Sequence, residues 1–308
     1  MGPSVPYLLG SADRHLKTVA YAKINLSLEV LGPRPDGYHQ VITILQTVDL
    51  FDHISFKLDD QLDVHCSAAG LEGEDNLVWH AASLLQNTMG KTGLSGAKIQ
   101  IHKGIPVSMG LGGGSSDAAA TLVSLNRLWG LDKPHESLHE IARDLGVDVP
   151  FFLRGGTALG VERGDDIHWL KALGKRWLVL VCPEIFIENK TARLYGMLSP
   201  ESYTDGSLTT SLAQSISRGE CQSELLFNVF EQVALEIFPG LGEVMEDMND
   251  AGAKFVHLSG SGPALFSLVE SPREGQQIVN RLSKMGRISH LLRTTGASSV
   301  LTVKGLSN

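Results

Sequence analysis

PVSMGLGGGSSDAAA, residues 106–120, carries four glycines within five positions and leads into a helix-forming pattern. Glycine has a high backbone-entropy cost, so a plain turn rarely uses so many. Without Cβ atoms, the backbone N–H groups of such a loop can converge on a ligand. The unpaired N–H groups at the start of the next helix also suit a phosphate. The alternative is a flexible loop whose first helical turn is capped by Ser115 or Asp117. The position directly before an amphipathic helix favours the phosphate interpretation.

Three common glycine motifs do not match this sequence. A Walker A loop needs G-x4-G-K-[ST], and residues 90–92 have Leu85 where the first glycine belongs. The dinucleotide pattern G-x-G-x-x-G ends on Ser115 or Asp117 instead of glycine. A nucleophile elbow G-x-S-x-G has Ser259 at its first position. These three classes are therefore disfavoured.

The composition is that of a globular protein. The chain has 308 residues, of which 43% are hydrophobic and 19% charged, enough for a core in two ordinary domains. A formal net charge of −8 argues against a general nucleic-acid-binding protein. No run of eighteen apolar residues occurs, so no membrane association is expected. Three separated cysteines predict neither a disulfide framework nor a zinc site, and the cytoplasm is the expected compartment.

Hydrophobic periodicity predicts an α+β protein, with a frayed extension over residues 1–17. The first part is predicted to contain strands at 18–31, 40–50, 53–58, 63–68, 98–102 and 155–161 and helices at 77–85, 115–129 and 136–145. A composition break at residues 164–176 marks the predicted domain boundary. The second part is predicted to contain a strand at 177–183, helices at 189–198, 222–238, 240–251 and 272–285, a strand at 255–269 that a glycine loop interrupts, and a final strand near 299–303. This order is typical of a ferredoxin-like layer.

Separate segments of the chain resemble the GHMP kinases, the group of galactose, homoserine, mevalonate and phosphomevalonate kinases. They are AKINLSLEV (22–30), PVSMGLGGGSSDAAA (106–120) and LSGSGPALFSL (258–268). The first continues as LGPRPDGYHQVITILQTVDLFD (31–52), which is similar to the branch that phosphorylates a cytidine-diphosphate-linked methylerythritol. LGVDVPFFLRGGTALG (145–160) resembles the same branch.

This resemblance implies both a fold and a reaction. The fold is a two-domain α+β arrangement, with a ribosomal-protein-S5-like ATP-binding domain over residues 1–164 and a ferredoxin-like substrate domain over residues 165–308. The reaction is transfer of the γ-phosphoryl group of ATP to the tertiary 2-hydroxyl group of that acceptor, in the methylerythritol phosphate route to isoprenoid precursors. The substrate is expected between the domains. ATP and Mg²⁺ are the expected cofactors, and a monomer or homodimer is the expected assembly.

The resemblance also assigns a catalytic pair. Asp148 matches the catalytic aspartate of the family, and Lys23 matches the lysine that lies against it. A lysine there holds the aspartate ionised and stabilises developing charge. The residues alone leave other interpretations open: Lys23 as a strand residue that faces water, and Asp148 as a helix N-cap or turn former.

The substrate-binding residues implied by the resemblance are Asn25, Gly37, Tyr38, His39 and Tyr195. Asn25 should lie on the same side of its strand as Lys23, near the acceptor hydroxyl group. Tyr38 is expected to stack on one face of the cytosine ring and Tyr195 on the other. His39 is expected to complement the polar edge of cytosine. Taken alone, these residues also fit an ordinary turn and a polar strand end.

The glycine-rich segment is assigned by resemblance to the phosphates of ATP. The nucleotide-binding residues carried over are Lys103, Pro106, Gly110, Leu111, Gly112, Gly113, Gly114, Ser115 and Ser116. Ser116 is also carried over as a magnesium ligand, and the alternative for Lys103 is a solvated strand end. The late glycine loop, residues 259–263, is expected to approach substrate phosphates or the first glycine loop. Its alternative is a bulge that interrupts a strand.

Two other functions remain open from the sequence. One is a kinase of the same family that acts on homoserine or a mevalonate derivative, and DGYH before a long hydrophobic strand argues against it. The other is a non-catalytic sensor with the same fold. The presence of both Lys23 and Asp148 argues against a protein without activity.

Overall fold

The structure is a computed structural model that describes residues 15–88 and 96–296. In this part of the chain, eleven strands form one sheet of seven strands and one of four. The strands are β1 (His15–Pro33), β2 (His39–Asp59), β3 (Leu62–Cys66), β4 (Gly96–His102), β5 (Thr157–Val161), β6 (Asp166–Trp169), β7 (Trp177–Val181), β8 (Phe227–Asn228), β9 (His257–Leu258), β10 (Leu265–Val269) and β11 (Ser289–Arg293). The α-helices are α1 (Leu77–Asn87), α2 (Gly113–Leu128), α3 (His135–Leu145), α4 (Val149–Phe152), α5 (Lys190–Met197), α6 (Ser207–Ser217), α7 (Glu231–Ile237), α8 (Leu241–Asp250) and α9 (Pro272–Lys284).

The long antiparallel hairpin of β1 and β2 lies at the centre of the larger sheet. Turn-forming residues 34–38 join the two strands. Because β2 is one strand of 21 residues, the prediction of two strands at 40–50 and 53–58 is wrong. The register against β1 shifts at Asp49 and Leu50, which form a bulge. Phe51 and Asp52, where the sequence predicted a break, continue the pairing with Tyr21 and Ala20 of β1.

The larger sheet has the order β3-β4-β2-β1-β8, and the hairpin of β5 and β6 pairs with β2. The short strand β8 pairs in parallel with β1. The prediction of one helix over residues 222–238 is therefore wrong, since residues 227–228 form a strand and α7 begins only at Glu231. The hairpin of β5 and β6 crosses the predicted boundary between residues 164 and 165, and the division into domains stays a prediction.

Helices α1, α2 and α3 pack together and form one hydrophobic core with the larger sheet. Ala118, Ala119 and Ala120 of α2 are fully buried, and their small side chains allow the helix to lie close to the strands. Leu122 and Leu125 continue the buried stripe that helical periodicity predicted. This packing fixes the first turn of α2 against the centre of the sheet.

The four-stranded sheet has the order β11-β7-β10-β9, and all of its neighbouring strands are antiparallel. Its core includes the buried residues Phe238, Met248 and Leu282, which helices bring against the strands. The elements follow one another in the order strand, helices, two strands, helix and strand, as in a ferredoxin-like layer. This order confirms the predicted fold class. The sequence analysis missed α6, whose serines and threonines are weak helix formers, and the short strand β11. The strand predicted near residues 299–303 lies outside the described residues.

Candidate active site

The loop before α2 presents backbone groups rather than side chains. Gly110 and Gly112 have left-handed φ angles of 82° and 70°. Gly112 is the N-cap of α2, and no side chain caps the helix, so the alternative of a cap by Ser115 or Asp117 is wrong. A Cβ atom on Gly112 would lie 2.7 Å from the ring of Phe152. The first N–H groups of α2 are therefore left for a ligand, and their positive dipole end suits an anion.

A cavity of about 460 Å³, called here the loop cavity, lies against this segment. The predicted nucleotide-binding residues that line it are Lys103, Pro106, Gly110, Leu111, Gly112, Gly113, Gly114 and Ser115. Ser116 lies outside the lining and is 2% exposed, and its role as a metal ligand stays a prediction. The sequence analysis did not find four further apolar residues of the lining, which are Cys66, Leu71, Leu77 and Ile105. These residues come from separate segments and share no spacing that a single sequence reveals.

Lys103 is held inside the protein and is not a solvated strand end. Its ammonium donates hydrogen bonds to Oδ2 of Asp52 at 2.5 Å and to Oδ2 of Asp117 at 2.8 Å. Burial lowers the pKa of Lys103, but the charges of Asp117 and Asp52 outweigh burial and raise it above its ordinary value. A Cβ atom on Gly113 would lie 3.2 Å from this ammonium. Lys103 therefore places a positive charge beside the first turn of α2.

The two acidic partners of Lys103 differ in their environment. Asp52 accepts additional hydrogen bonds from the backbone N–H groups of the two residues that follow Lys103. Oδ1 of Asp117 is buried and has no hydrogen-bond partner among the described residues. Burial raises the pKa of Asp117 to about 8, and neighbouring Asp52 acts in the same direction while Lys103 opposes both. Of the two partners of Lys103, Asp117 is therefore the one whose ionised form burial disfavours.

Lys23 and Asp148 meet at the edge of the loop cavity, as the resemblance implied. Lys23 Nζ lies 3.4 Å from Asp148 Oδ2, and the Lys23 side chain is only 5% exposed. The same ammonium donates to Asn25 Oδ1 at 2.7 Å, and Asn25 donates to Thr43 Oγ1 at 2.8 Å. Asp148 occupies the N-cap position of α4 but makes no capping hydrogen bond. Lys23 therefore does not face water, and Asp148 does not cap a helix.

A second cavity of about 1060 Å³, called here the cleft cavity, lies on the other side of Lys23 and Asp148. The predicted substrate-binding residues that line it are Asn25, Gly37, Tyr38, His39 and Tyr195. The ring of Tyr195 stacks on His39 with centroids 4.7 Å apart and meets Phe230 edge-on. Burial, followed by the charge of Asp148, raises the pKa of Tyr195 to about 12. Tyr195 therefore supports His39, and its stacking on cytosine stays a prediction. Two aromatic rings of this lining are exposed, those of Tyr38 (53%) and Phe186 (74%).

Tyr38 rests on a guanidinium group that the sequence analysis did not predict. The Cζ atom of Arg163 lies 5.1 Å from the centre of the Tyr38 ring. Arg163 Nη2 donates to Oδ2 of the fully buried Asp165 at 2.6 Å, and Arg143 Nε donates to the same oxygen at 3.2 Å. Burial would raise the pKa of Asp165, but the hydrogen bond and charge of Arg163, followed by those of Arg143, hold it below its ordinary value. The ionised carboxylate thus anchors the arginine that supports Tyr38.

The two cavities share part of their lining, called here the junction. It consists of Lys23, Ser108, Asp148, Lys190 and Ser261. Sequence analysis predicted roles for Lys23 and Asp148 and included Ser261 in the late loop. It did not single out Lys190 as a functional residue. A group that passes from one cavity to the other has to pass these side chains.

The late loop, residues 259–263, packs directly on the first glycine loop. A Cβ atom on Gly110 would lie 2.1 Å from the carbonyl oxygen of Ser259, and a Cβ atom on Gly262 would lie 2.0 Å from the carbonyl carbon of Met109. The late loop connects β9 and β10, so it ends a hairpin and is not a bulge within a strand. The expected approach of the two glycine loops is confirmed, and it explains why both need glycine.

Known proteins show both halves of this arrangement. The model of the GHMP kinases N terminal domain matches residues 76–156, and the model of the GHMP kinases C terminal matches residues 211–288. A Dehalococcoides mccartyi protein named 4-diphosphocytidyl-2-C-methyl-D-erythritol kinase is 39% identical over 282 residues, which cover 91% of this chain and 99% of that protein. The chain belongs to the GHMP kinase family.

Further relatives support the same assignment of this GHMP kinase. A Brevibacillus brevis protein of the same name is 38% identical over 90% of this chain and 96% of its own length. The crystal structure of a 4-(cytidine 5'-diphospho)-2C-methyl-D-erythritol kinase superposes with a TM-score of 0.77 at 32% identity, covering 91% of this chain and 99% of that one. Homoserine kinase from Cytophaga hutchinsonii superposes with a TM-score of 0.71 at 19% identity, covering 97% and 100%, and shares the fold. The predicted family, fold and class of ATP-dependent phosphotransferase are confirmed.

Two further features of the described residues concern membranes and metal ions. None of the helices in residues 15–88 and 96–296 combines the length and apolarity that crossing a bilayer requires. In the same part of the chain, no three His, Cys, Asp or Glu side chains are grouped so that they could hold a metal ion by themselves.

Proposed function

We propose that this GHMP kinase transfers the γ-phosphoryl group of ATP to the 2-hydroxyl group of 4-diphosphocytidyl-2-C-methyl-D-erythritol. The observation that carries this proposal is the contact between Lys23 and Asp148 where the loop cavity meets the cleft cavity. The first cavity offers backbone N–H groups to a polyphosphate, and the second offers aromatic rings to a nucleobase. Relatives that are 36–39% identical and named for this substrate support the choice of acceptor.

ATP is proposed to bind in the loop cavity. Its phosphates rest on the glycine loop and on the free N–H groups of α2, in the way that helix N-termini bind anions. The ammonium of Lys103 stands beside Gly113 and adds a fixed positive charge. The apolar side chains of the same cavity, including Leu71 and Leu77, are suited to the adenine ring. The γ-phosphoryl group then lies at the junction.

The transfer needs a group that accepts the proton of the acceptor hydroxyl. Asp148 is proposed to accept it while the hydroxyl oxygen forms its bond to phosphorus and the bond to the bridging oxygen of ATP breaks, so that ADP leaves. Lys23 lies against the Asp148 carboxylate with a contact of 3.4 Å and places a positive charge beside the reacting oxygen atoms. Asn25 holds the lysine ammonium at 2.7 Å and so fixes its direction.

The cytidine part of the acceptor is proposed to bind in the cleft cavity. Tyr38 and Phe186 present exposed rings in its lining, and we propose that these rings cover the faces of the cytosine. His39, supported by Tyr195, and the backbone at Gly37 are proposed to bind its polar edge. The methylerythritol end then extends towards Asn25 and the junction.

Magnesium is part of the proposal because the donor atoms present fit it. Mg²⁺ prefers oxygen ligands and usually takes one or two from the protein, with phosphate oxygens and water completing its shell. A full cluster of protein ligands is therefore not required. Ser115 brings a hydroxyl oxygen to the lining of the loop cavity and would hold the ion together with phosphate oxygens and water. When bound, it would neutralise charge on the phosphates.

Two broader expectations also belong to this proposal. The division into an ATP-binding domain over residues 1–164 and a substrate domain over residues 165–308 is kept, with both cavities lined by residues from each part. The cytoplasm is the proposed compartment, since Cys66, Cys182 and Cys221 are all free thiols.

An acceptor screen with γ-labelled ATP tests the proposed function. The purified full chain is incubated with 4-diphosphocytidyl-2-C-methyl-D-erythritol, mevalonate or homoserine, and label transfer is measured. We expect transfer to the cytidylyl compound at a rate at least about 100-fold above the other two, since a site built for polar groups rejects compounds that lack them. Transfer to mevalonate or homoserine instead, or to none of the three, would contradict the proposal.

A further inference from the structure

Lys190 occupies an unusual position at the meeting point of the two cavities. It is the first residue of α5 and belongs to the junction together with Lys23 and Asp148. The next residue, Thr191, forms a hydrogen bond of 2.7 Å with Ser261 of the late loop. This bond ties the start of α5 to the loops around the junction, so the placement of Lys190 is set by the same contacts that build the site.

Three lysines line the loop cavity, and they differ in what holds their ammonium groups. Lys103 is bound by two carboxyl groups, and Lys23 is bound by Asp148 and Asn25. The ammonium of Lys190 forms neither a hydrogen bond nor an ion pair with any residue that the structure describes. Of the three, it is the one whose hydrogen-bond donors are left for a ligand.

The electrostatic surroundings of Lys190 favour an anion. Burial lowers the pKa of Lys190, and the charge of Lys23 lowers it further, while Asp148 raises it. An ammonium that is partly removed from water, has no partner and lies near a second cation is in an unfavourable environment. A negatively charged ligand between the two lysines removes this disadvantage. ATP brings such a group to the junction.

We propose that Lys190 is a further catalytic residue, whose ammonium binds the oxygen atoms of the γ-phosphoryl group as it passes from the loop cavity to the cleft cavity. This inference rests on the proposed function. In the loose transition state of phosphoryl transfer, charge is spread over the three equatorial oxygens, and a positioned cation stabilises it. Lys190 gives up no proton in this step. The hydroxyl proton goes to Asp148, and the bond that breaks is the one between the γ-phosphorus and the bridging oxygen of ADP.

The test compares two variants of Lys190 with a control on the same helix. Lys190→Met removes the charge and keeps an unbranched side chain, while Lys190→Arg keeps the charge. Arg193→Met is the control, because Arg193 is exposed on α5 and lines neither cavity. We expect Lys190→Met to lower kcat about 100–1000-fold, the usual effect of losing one positioned donor to a transition state. The KM values for ATP and acceptor should change about twofold or less, since uniform binding is not lost.

The other two variants and thermal melting complete the design. Lys190→Arg should retain at least about a tenth of wild-type kcat, since charge rather than shape is required, and Arg193→Met should behave as wild type. All variants should melt within about 3 °C of wild type. A kcat for Lys190→Met within about threefold of wild type would overturn the inference. So would a loss confined to the KM of the acceptor, which would place Lys190 on the acceptor diphosphate, or an equal loss in Arg193→Met.

The inference and the proposed function fail in different measurements. If the wild-type enzyme phosphorylates a different acceptor, the acceptor screen shows it, and the Lys190 variants are then assayed with that acceptor. If the acceptor is the proposed one and Lys190→Met still turns over normally, only the inference fails.

Discussion

The loop cavity and the cleft cavity adjoin each other, yet they are built in different ways. The side of the loop cavity where we propose that phosphates bind consists mainly of backbone groups in one continuous segment, residues 106–115, and its shape depends on glycines with left-handed φ angles. The cleft cavity consists of side chains from segments far apart in the sequence, such as Tyr38, Arg163 and Phe186. One site therefore depends on local conformation, and the other depends on tertiary packing.

This difference leads to a simple expectation for kinetics. Changes in the loop cavity should alter the KM for ATP, and changes in the cleft cavity should alter the KM for the acceptor. Changes at the junction, where both cavities share their lining, should alter kcat and leave both KM values nearly unchanged. A variant that changes kcat, the KM for ATP and the KM for the acceptor together would contradict this expectation.

The largest effect is expected at the junction. Asp148→Ala should lower kcat about 100–10000-fold, the range for loss of a general base, while ATP affinity stays within about threefold of wild type. The carboxylate lies at the edge of the loop cavity, and the proposed phosphate contacts are mainly to backbone groups. Steady-state kinetics and equilibrium binding of ATP measure the two quantities.

Asp144→Ala serves as the control for Asp148→Ala. Asp144 is an exposed aspartate at the end of α3 and lines neither cavity, so its removal should leave all constants unchanged. Near-normal turnover of Asp148→Ala would exclude Asp148 as the base. A large loss of ATP affinity would show that this side chain also supports the loop cavity, and the two regions would then be less independent than we expect.

The next largest effect is expected in the glycine loop. Gly112→Ala places a Cβ atom 2.7 Å from the Phe152 ring at a φ of 70°, so the loop has to move away from its phosphate-binding shape. We expect the KM for ATP to rise about 10–100-fold, corresponding to the loss of one or two hydrogen bonds to a charged group. The KM for the acceptor should stay within about twofold.

Gly130→Ala separates backbone strain from the loss of the phosphate site. Gly130 follows the other end of α2 with a φ of 66°, and nothing lies within 4 Å of the position of an added Cβ atom. Alanine there should destabilise the protein by about 1 kcal/mol through backbone strain alone and leave ATP binding intact. If both variants weaken ATP binding equally, strain in α2 rather than the shape of the loop is responsible.

A smaller effect is expected in the cleft cavity. Tyr38→Ala removes an exposed ring and should raise the KM for the cytidylyl substrate about 5–50-fold, within the range for loss of one base–aromatic stack. The KM for ATP should not change. Tyr38→Phe keeps the ring and should bind the substrate almost normally. Equal increases in both KM values for Tyr38→Ala would contradict a stacking role.

The loop cavity depends on local conformation and the cleft cavity on tertiary packing. This difference also decides which parts of the site could be predicted from the sequence. The glycine loop was found from one segment, because left-handed backbone positions and a helix start leave a local signature. The pairing of Lys23 with Asp148 joins distant segments and was predicted only through the resemblance to a family. Arg163 and Lys190 were missed. Each is a single basic residue in an unremarkable segment, and its role depends on contacts made only after folding.

The errors in the predicted fold have a similar cause. The predicted break at residues 51 and 52 directly follows the bulge at Asp49 and Leu50, and periodicity alone does not distinguish a bulge from a break. The strand β8 has only two residues and is defined by its pairing with β1 rather than by its own sequence. By contrast, the buried alanines of α2 and the N-cap Asn76 of α1 carry local signals, and both helices were predicted close to their observed bounds.

The smallest kinetic effect is expected from a change at Asp165. We expect this residue to act on the acceptor only through Arg163 and Tyr38. Asp165→Asn removes the anchoring carboxylate, so the KM for the acceptor should rise about 2–5-fold, the scale of an exposed cation–π contact, with kcat and the KM for ATP unchanged. The free energy of unfolding should fall by about 1–3 kcal/mol at pH 7, because two arginine donors lose a buried charged partner. Asp166→Asn is the control, since the Asp166 side chain is half-exposed and, among the described residues, has only His168 as an ionic partner.

The pH dependence of this stability loss distinguishes an ionised Asp165 from a merely well-packed one. The pKa of Asp165 in the folded protein lies below its ordinary value of 3.8, so folding favours the ionised form. The contribution of Asp165 to stability is therefore complete at pH values above its ordinary pKa. It is lost as the pH falls through the pKa of the folded protein. Urea unfolding should therefore show a constant difference in the free energy of unfolding between wild type and Asp165→Asn from pH 5 to 8. This difference should narrow below about pH 4. If the difference in the free energy of unfolding stays the same in acid, then packing rather than the charge of Asp165 holds Arg163. The cleft cavity would then depend on packing alone.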